Sequence, residues 1–148
     1  MPLTTLAVYA KKGHPMTGMT ALLIYIVWTL ILALSYATYR LPLVLTGKKS
    51  ANHWERGKPV DDPEFLVRAK AAHLNCLENL PLFAALVLIG AATEQSATVN
   101  AVAGIIVAAR ISQSLVHLIG TSFPLVLIRA SLFLTQVALM LYLAFAMI

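Results

Sequence analysis

The longest stretches of this chain without a charged residue are too long for an ordinary soluble domain. Lys, Arg, Asp and Glu are absent from Gly13 to Tyr39, from Ile111 to Ile128 and from Ala130 to Ile148. A helix that crosses a membrane needs about 20 consecutive, mostly apolar residues. Because 59% of the residues are hydrophobic and 11% are charged, a globule of 148 residues cannot hide the apolar surface. These runs therefore predict helices that lie in lipid.

The apolar segments predict four membrane-spanning helices within a single domain, residues 1–148. The expected helices are residues 19–39, 65–92, 99–119 and 125–147. The segment 40–64 is expected as the one long loop, because it contains Pro42, Gly47, Gly57, Pro59 and Pro63. The other connections are short, which makes sequential helices antiparallel neighbours. The predicted fold class is an all-α membrane protein, built as an up-down four-helix bundle.

Basic residues are concentrated around the long loop. They are Arg40, Lys48, Lys49, Arg56, Lys58, Arg68 and Lys70. The turn after the second helix contains one charged residue, Glu94, and no basic residue. The positive-inside rule places this loop in the cytoplasm and both termini on the non-cytoplasmic side, although Lys11 and Lys12 oppose that orientation. The basic bias indicates anionic lipid headgroups and not nucleic acid, because no basic patch interleaved with aromatic residues occurs.

Polar residues within the predicted helices occupy one level of the membrane, near its cytoplasmic side. They are Arg68, His73, Asn75 and Glu78 in the second helix, Arg110, Gln113, Ser114 and His117 in the third, and Arg129 and Gln136 in the fourth. The four positions in the third helix share one helical face. Ionised groups at membrane depth are expensive and usually face the bundle interior in pairs. The chemistry of this protein is therefore expected at that level.

The charges at this level do not balance. Glu78 and Arg110 lie at comparable depth and are expected to pair, joining the second helix to the third. Arg40, Arg68 and Arg129 then remain in excess. Such arginines either extend to lipid phosphates or bind an anionic ligand such as a carboxylate or phosphate. We expect lipid contact for Arg40, and both interpretations stay open for Arg129.

Histidine and cysteine add two further interpretations. His73 and His117 lie on neighbouring helices, as haem ligands do in some membrane cytochromes, but no other feature supports haem and no metal site is predicted. Cys76 is expected to be a small packing residue and not a nucleophile. A small transporter would be expected to have broken helices, and the helices offer only Pro81 as a break.

The segment from His73 to Pro81 reads His-Leu-Asn-Cys-Leu-Glu-Asn-Leu-Pro. It resembles the second-helix signature of the MAPEG family, the membrane-associated proteins in eicosanoid and glutathione metabolism. The four-helix layout, the long basic loop, Arg110 and Arg129 agree with that family. The resemblance covers residues 19–148; its second-helix motif is quite specific, and the other features are supportive.

The resemblance implies a homotrimer that binds glutathione at the cytoplasmic side, between helices of adjacent subunits. It implies that Arg129 stabilises the glutathione thiolate and is the catalytic residue. The expected glutathione-binding residues are Asn75, Glu78, Arg110, Arg68, His117 and Gln113. The implied function is a glutathione-dependent transferase or peroxidase acting on lipophilic electrophiles. The compact chain is compatible with a bacterial-type member in an inner membrane.

Several positions depart from the family pattern. Ala71 stands where the family commonly has an arginine, and Phe133 stands where some members have a tyrosine. Gln113 and His117 replace residues that are His or Tyr, and then Tyr, in several members. These changes favour an alternative, a non-catalytic relative that binds lipid or serves as an accessory subunit of a larger membrane complex.

Overall fold

A computed structural model of the chain describes residues 16–55, 57–58 and 61–148. Within them the chain forms four α-helices. These are α1 (Gly18–Leu45), α2 (Glu64–Ala92), α3 (Ser96–Ile119) and α4 (Phe123–Ala146). Each is long and apolar enough to cross a membrane. The all-α class is confirmed, as is the prediction from the uncharged runs of four helices long and apolar enough to span a membrane. Lys11, Lys12 and Arg56, whose charges bear on the predicted orientation in the membrane, lie outside the described residues.

The expected end of the first helix at residue 39 is wrong, because α1 continues through Pro42 to Leu45. Pro42 lacks the N–H that would donate to the Thr38 carbonyl, yet the helix continues for three residues beyond it. The final turn is closed by Thr46, whose backbone N–H donates to the carbonyl of Pro42 at 3.0 Å. Gly47 follows with a φ of 70°, the left-handed conformation that ends many helices. The long loop is therefore residues 46–63 and not 40–64.

The third and fourth helices begin earlier than expected. α3 starts at Ser96 after a tight turn, in which Glu94 has a φ of 59° and the Gln95 N–H donates to the Gly90 carbonyl at 2.8 Å. α4 starts at Phe123 and has Pro124 in its first turn, where a missing N–H costs nothing. Both connections are short, so α2, α3 and α4 alternate in direction. As a result α2 and α4 both run away from the end of the bundle that carries residues 46–63, which we call the loop end.

The core lies mainly between α1, α2 and α3. Its largest apolar members are Tyr25, Phe83 and Ile106, whereas α4 buries only Gln136, Met140 and Leu143. The outer surface exposes many large apolar side chains, for example Leu23, Leu34, Leu82 and Leu134. Removing one such side chain from water is favourable by about 1.5–3 kcal/mol, so this surface is better solvated by lipid than by water. α2 and α4 contact each other little. A crevice therefore runs between them.

A compact group of side chains holds the loop against the helices. Arg40 donates from Nε to Asp62 Oδ2 at 2.9 Å, and Trp54 donates from Nε1 to Asp62 Oδ1 at 2.9 Å. The Arg40 guanidinium also lies 5.0 Å from the centre of the Tyr36 ring and 5.1 Å from that of Trp54. We call Tyr36, Arg40, Trp54 and Asp62 the loop cluster. The expected lipid contact for Arg40 is wrong, because Asp62 supplies an acceptor within the protein.

Candidate functional site

Toward the loop end, the crevice between α2 and α4 contains a cavity of about 320 Å³. We call it the polar cavity. It is lined by Asn75, Glu78, Arg110, Gln113, Val126, Arg129, Ala130 and Phe133. The polar members of this set are all residues that the sequence singles out. The expectation that polar groups from several helices meet at one level therefore holds for these residues.

Helical spacing explains why these side chains converge. Residues three or four apart lie on one face of a helix. Asn75 and Glu78 have this spacing in α2, Arg110 and Gln113 have it in α3, and Arg129 and Phe133 have it in α4. The short connection from Ile119 to Phe123 keeps the end of α3 beside the start of α4. α2 and α3 thus direct two polar residues each, and α4 directs Arg129, toward the same space.

Arg110 is almost completely enclosed yet not fully hydrogen-bonded. Its relative exposure is 1%, and its Nε and Nη2 atoms have no hydrogen-bond partner. The guanidinium lies 5.8 Å from the centre of the Tyr25 ring, and the Tyr25 hydroxyl donates to the carbonyl of Cys76 at 3.2 Å. A buried donor without an acceptor is costly. Arg110 therefore lines the polar cavity with a guanidinium that the described part of the chain leaves partly unsatisfied.

The expected ion pair between Glu78 and Arg110 is not formed. Ion pairs among the described residues involve Arg40, Lys49, His53, Lys58 and Arg68, and none includes Glu78 or Arg110. Glu78 is exposed at the cavity mouth, whereas Arg110 lies in the core beside Tyr25. Equal depth brings two residues to the same level but does not determine the direction in which their side chains extend. Here both border the cavity without meeting.

Arg129 contributes a second guanidinium to the cavity from α4. Its Nε atom is shielded and has no hydrogen-bond partner. None of the ion pairs among the described residues contains Arg129. The lining therefore holds two cationic groups, Arg110 and Arg129, and one carboxylate, Glu78. This surplus of positive charge favours an anionic ligand over a neutral one.

Gln113 is oriented by a neighbour on α4. The Gln136 Nε2 atom donates to Gln113 Oε1 at 3.1 Å and to the Leu132 carbonyl at 2.9 Å. Gln136 is itself only 1% exposed. The sequence places Gln136 at the polar level but assigns it no role. In the structure it joins α3 to α4 and positions a residue of the cavity wall.

Two expected glutathione-binding residues are not among the cavity-lining residues. Arg68 donates from Nε to the Leu118 carbonyl at 3.1 Å and pairs with Glu64 at 3.0 Å, so it joins the start of α2 to the end of α3. His117 is buried, and its Nδ1 atom has no partner. Because it follows Gln113 by about one turn, it lies closer to the loop end than the cavity lining does.

Neither His73 nor Cys76 contributes to the cavity. The Nδ1 atom of His73 lies 2.9 Å from the Tyr36 hydroxyl, so this histidine is bonded to α1. Cys76 is fully buried, with Sγ 3.6 Å from Ser114 Oγ. This environment agrees with the expected packing role of the cysteine.

A second volume lies in the same crevice, farther from the loop end. It measures about 290 Å³, and we call it the apolar groove. It is lined by Asn79, Leu82, Ala85 and Leu86 of α2 and by Val137, Met140, Leu141 and Ala144 of α4. Sequence analysis missed this groove. The available signal was spacing, since Leu82 and Leu86 extend the face of α2 that carries Asn75 and Asn79.

Comparison with protein families identifies one family for this chain. The model of the MAPEG family matches residues 18–148, which include all four helices and the motif from His73 to Pro81. Neither a curated protein nor a solved structure matches the chain. The family match confirms the resemblance predicted from the motif of the second helix. The chain therefore belongs to the MAPEG family.

Proposed function

We propose that this protein is a glutathione-dependent transferase or peroxidase that acts on lipophilic electrophiles. One observation carries this proposal: the polar cavity holds two guanidinium groups with unused donors, Arg110 and Arg129, beside a single carboxylate, Glu78. Glutathione has two carboxylates and one ammonium group, so its charges complement this lining. Membership of a family that includes such enzymes supports the same function.

Each cavity residue has a role in the proposed site. Arg110 donates to a glutathione carboxylate, Glu78 accepts from the ammonium group, and Asn75 bonds a peptide group. Bound glutathione supplies a thiol nucleophile. Arg129 stabilises the thiolate, because a nearby guanidinium lowers a thiol pKa from its usual value of about 8.5. No protein nucleophile is required, which agrees with the burial of Cys76.

The apolar groove suits the lipophilic partner in this reaction. It continues the polar cavity along the same two helices, and all its lining residues except Asn79 are apolar. In the proposed complex the apolar body of the electrophile lies in the groove, and its reactive end lies near Arg129. The exposed apolar surface of α4 allows such a molecule to enter from the bilayer.

We also propose an oligomeric state for this protein and an orientation in the membrane. The loop end faces the cytoplasm of a bacterial inner membrane, and both termini lie on the other side, because the loop carries Lys48, Lys49 and Lys58. The functional unit is a homotrimer in contact with membrane lipids. The support for assembly is that Glu78 is exposed and the polar cavity opens onto the surface of the single chain. A second copy would complete its wall.

The alternative is a non-catalytic, lipid-binding or accessory subunit of a larger membrane complex. Phe133 favours it, because this residue brings an aromatic ring without a donor into the cavity wall. Ala71 also lacks a donor, one turn before Asn75. This alternative predicts a partner that co-purifies in mild detergent, and no glutathione binding by a stable, folded protein.

The deciding experiment measures glutathione binding by calorimetry in mild detergent, together with conjugation of 1-chloro-2,4-dinitrobenzene. Replacing Arg129 with Ala is expected to weaken binding by about 10-fold to 100-fold, since hydrogen bonds to charged groups contribute about 1.5–3 kcal/mol. Lys48→Ala removes one positive charge from the exposed loop and is the matched control. Equal binding by wild type and Arg129→Ala would contradict this site.

A further inference from the structure

The boundary between the polar cavity and the apolar groove is marked by one buried amide. Asn79 is 8% exposed, and its Nδ2 atom has no hydrogen-bond partner. It is the single polar residue among those that line the apolar groove. Buried polar groups are nearly always hydrogen-bonded, because an apolar environment makes a free donor costly. An acceptor for the free N–H of Asn79 would therefore be stabilising.

The position of Asn79 relates it to both volumes. Asn75, which lines the polar cavity, precedes it by one helical turn, or about 6 Å along α2. Leu82 and Leu86, which line the apolar groove, follow it on the same face. On α4, Phe133 ends the cavity lining and Val137 begins that of the groove. A molecule that extends from the cavity into the groove passes Asn79.

The described residues supply no acceptor for this donor. Gln136 Oε1 is also buried and without a partner, but it does not bond Asn79 Nδ2. The Gln136 side chain is held elsewhere, since its Nε2 atom donates to Gln113 and to the Leu132 carbonyl. Among the described residues the Asn79 donor therefore has no acceptor.

Building on the proposed function, we infer that Asn79 is a specificity-determining residue for the lipophilic substrate. It selects long-chain electrophiles that carry an oxygen acceptor on the carbon next to the reacting carbon. Chains of equal length that lack this oxygen are disfavoured. The apolar groove accepts either chain. Only the oxygenated chain satisfies the Asn79 N–H, and an unsatisfied donor in the bound complex disfavours the other.

The test compares two substrates that differ by one hydroxyl group, 4-hydroxy-2-nonenal and 2-nonenal. In both, conjugation adds the glutathione S–H across the C2–C3 double bond, so no oxidant or reductant is needed. For each variant, the ratio of the two kcat/KM values is divided by the ratio of the uncatalysed rates. This normalised preference removes the intrinsic difference in reactivity between the two aldehydes.

Wild type is expected to prefer the hydroxylated aldehyde by about threefold to tenfold, the value of one hydrogen bond between neutral groups. Asn79→Leu, which removes the donor and keeps the size, is expected to abolish this preference. Leu86→Val alters the same groove at a position without a polar group and is expected to change both kcat/KM values in the same proportion. Asn79→Ala gives the same readout if the leucine variant does not fold.

The outcomes separate this inference from the function on which it rests. A normalised preference near one in wild type, or a preference that Asn79→Leu and Asn79→Ala leave unchanged, would overturn the role of Asn79 while conjugation persists. Absence of glutathione binding and of conjugation in wild type would instead overturn the proposed function, and this inference with it.

Discussion

The loop cluster and the polar cavity use the same kinds of residue at the same end of the bundle, with opposite results. In the loop cluster, Arg40 lies against two aromatic rings, and its Nε and Nη2 atoms both donate to Asp62. In the polar cavity, Arg110 lies near the ring of Tyr25, but its Nε and Nη2 atoms have no acceptor. One arginine is satisfied by the chain and the other is not.

The difference shows what distinguishes an arginine that stabilises the fold from an arginine that can bind a ligand. Asp62 reaches Arg40 because the loop folds back and places a carboxylate beside it. Glu78, the carboxylate closest in level to Arg110, stays exposed at the cavity mouth. An arginine that the protein neutralises stabilises the fold. An arginine that it leaves unneutralised is available to an anion from outside.

The largest expected effect separates binding from stability at Arg110. Arg110→Met is expected to weaken glutathione binding by at least about tenfold, while the melting temperature stays unchanged or rises. The physical reason is that replacing a buried charge by an apolar side chain of similar volume is often neutral or stabilising. Calorimetry and thermal unfolding in the same detergent measure both quantities. A large fall in melting temperature with binding retained would make Arg110 a structural residue, like Arg40.

The second prediction concerns the loop cluster and has the opposite sign. Asp62→Ala leaves Arg40 and the Trp54 Nε1 atom without their acceptor, and it is expected to lower the free energy of unfolding by about 1–3 kcal/mol. Glutathione affinity is expected to change little, because Asp62 does not line the polar cavity. Denaturant unfolding and calorimetry provide the comparison.

A double-mutant cycle sharpens this second prediction. If Arg40 and Asp62 act as one unit, Arg40→Met combined with Asp62→Ala is expected to cost clearly less than the sum of the two single changes. Additive costs would show that the two side chains contribute independently. The loop cluster would then not be the satisfied counterpart of the cavity.

The smallest expected effect tests an exposed charge of the same loop. Hydrogen bonds from Lys49 and His53 lower the pKa of Asp61 to about 2. Because this pKa lies below the usual value of about 3.9, the stabilisation is fully present above about pH 4 and is lost as the pH falls toward 2. Asp61→Asn is expected to reduce the slope of melting temperature against pH in that window.

Salt provides the control for Asp61. Interactions between exposed charges weaken as ionic strength rises, so the difference between wild type and Asp61→Asn is expected to shrink in high salt. A difference that persists in high salt would place this carboxylate in a less exposed environment. The contrast with the buried Asp62, one residue later, would then disappear.

The sequence predicts some features on which the proposed roles depend and misses others. Depth and face were predictable for Asn75, Gln113 and Arg129, because helical spacing determines both. The end of α1 was not, since a proline normally marks a boundary and Pro42 here lies within the last turns of the helix. The apolar groove was also missed, because an apolar face predicts burial in lipid as readily as a groove between helices.

The sequence alone determined the four spanning helices, the common level of the polar residues and the family. These properties are local: hydropathy, helical period and a short motif do not depend on how the helices are arranged. The tertiary structure alone decided that Arg40 meets Asp62, that Glu78 and Arg110 do not pair, and that Asn79 keeps a free donor. Those outcomes depend on the rotation of each helix about its own axis, and packing against the neighbouring helices sets that rotation.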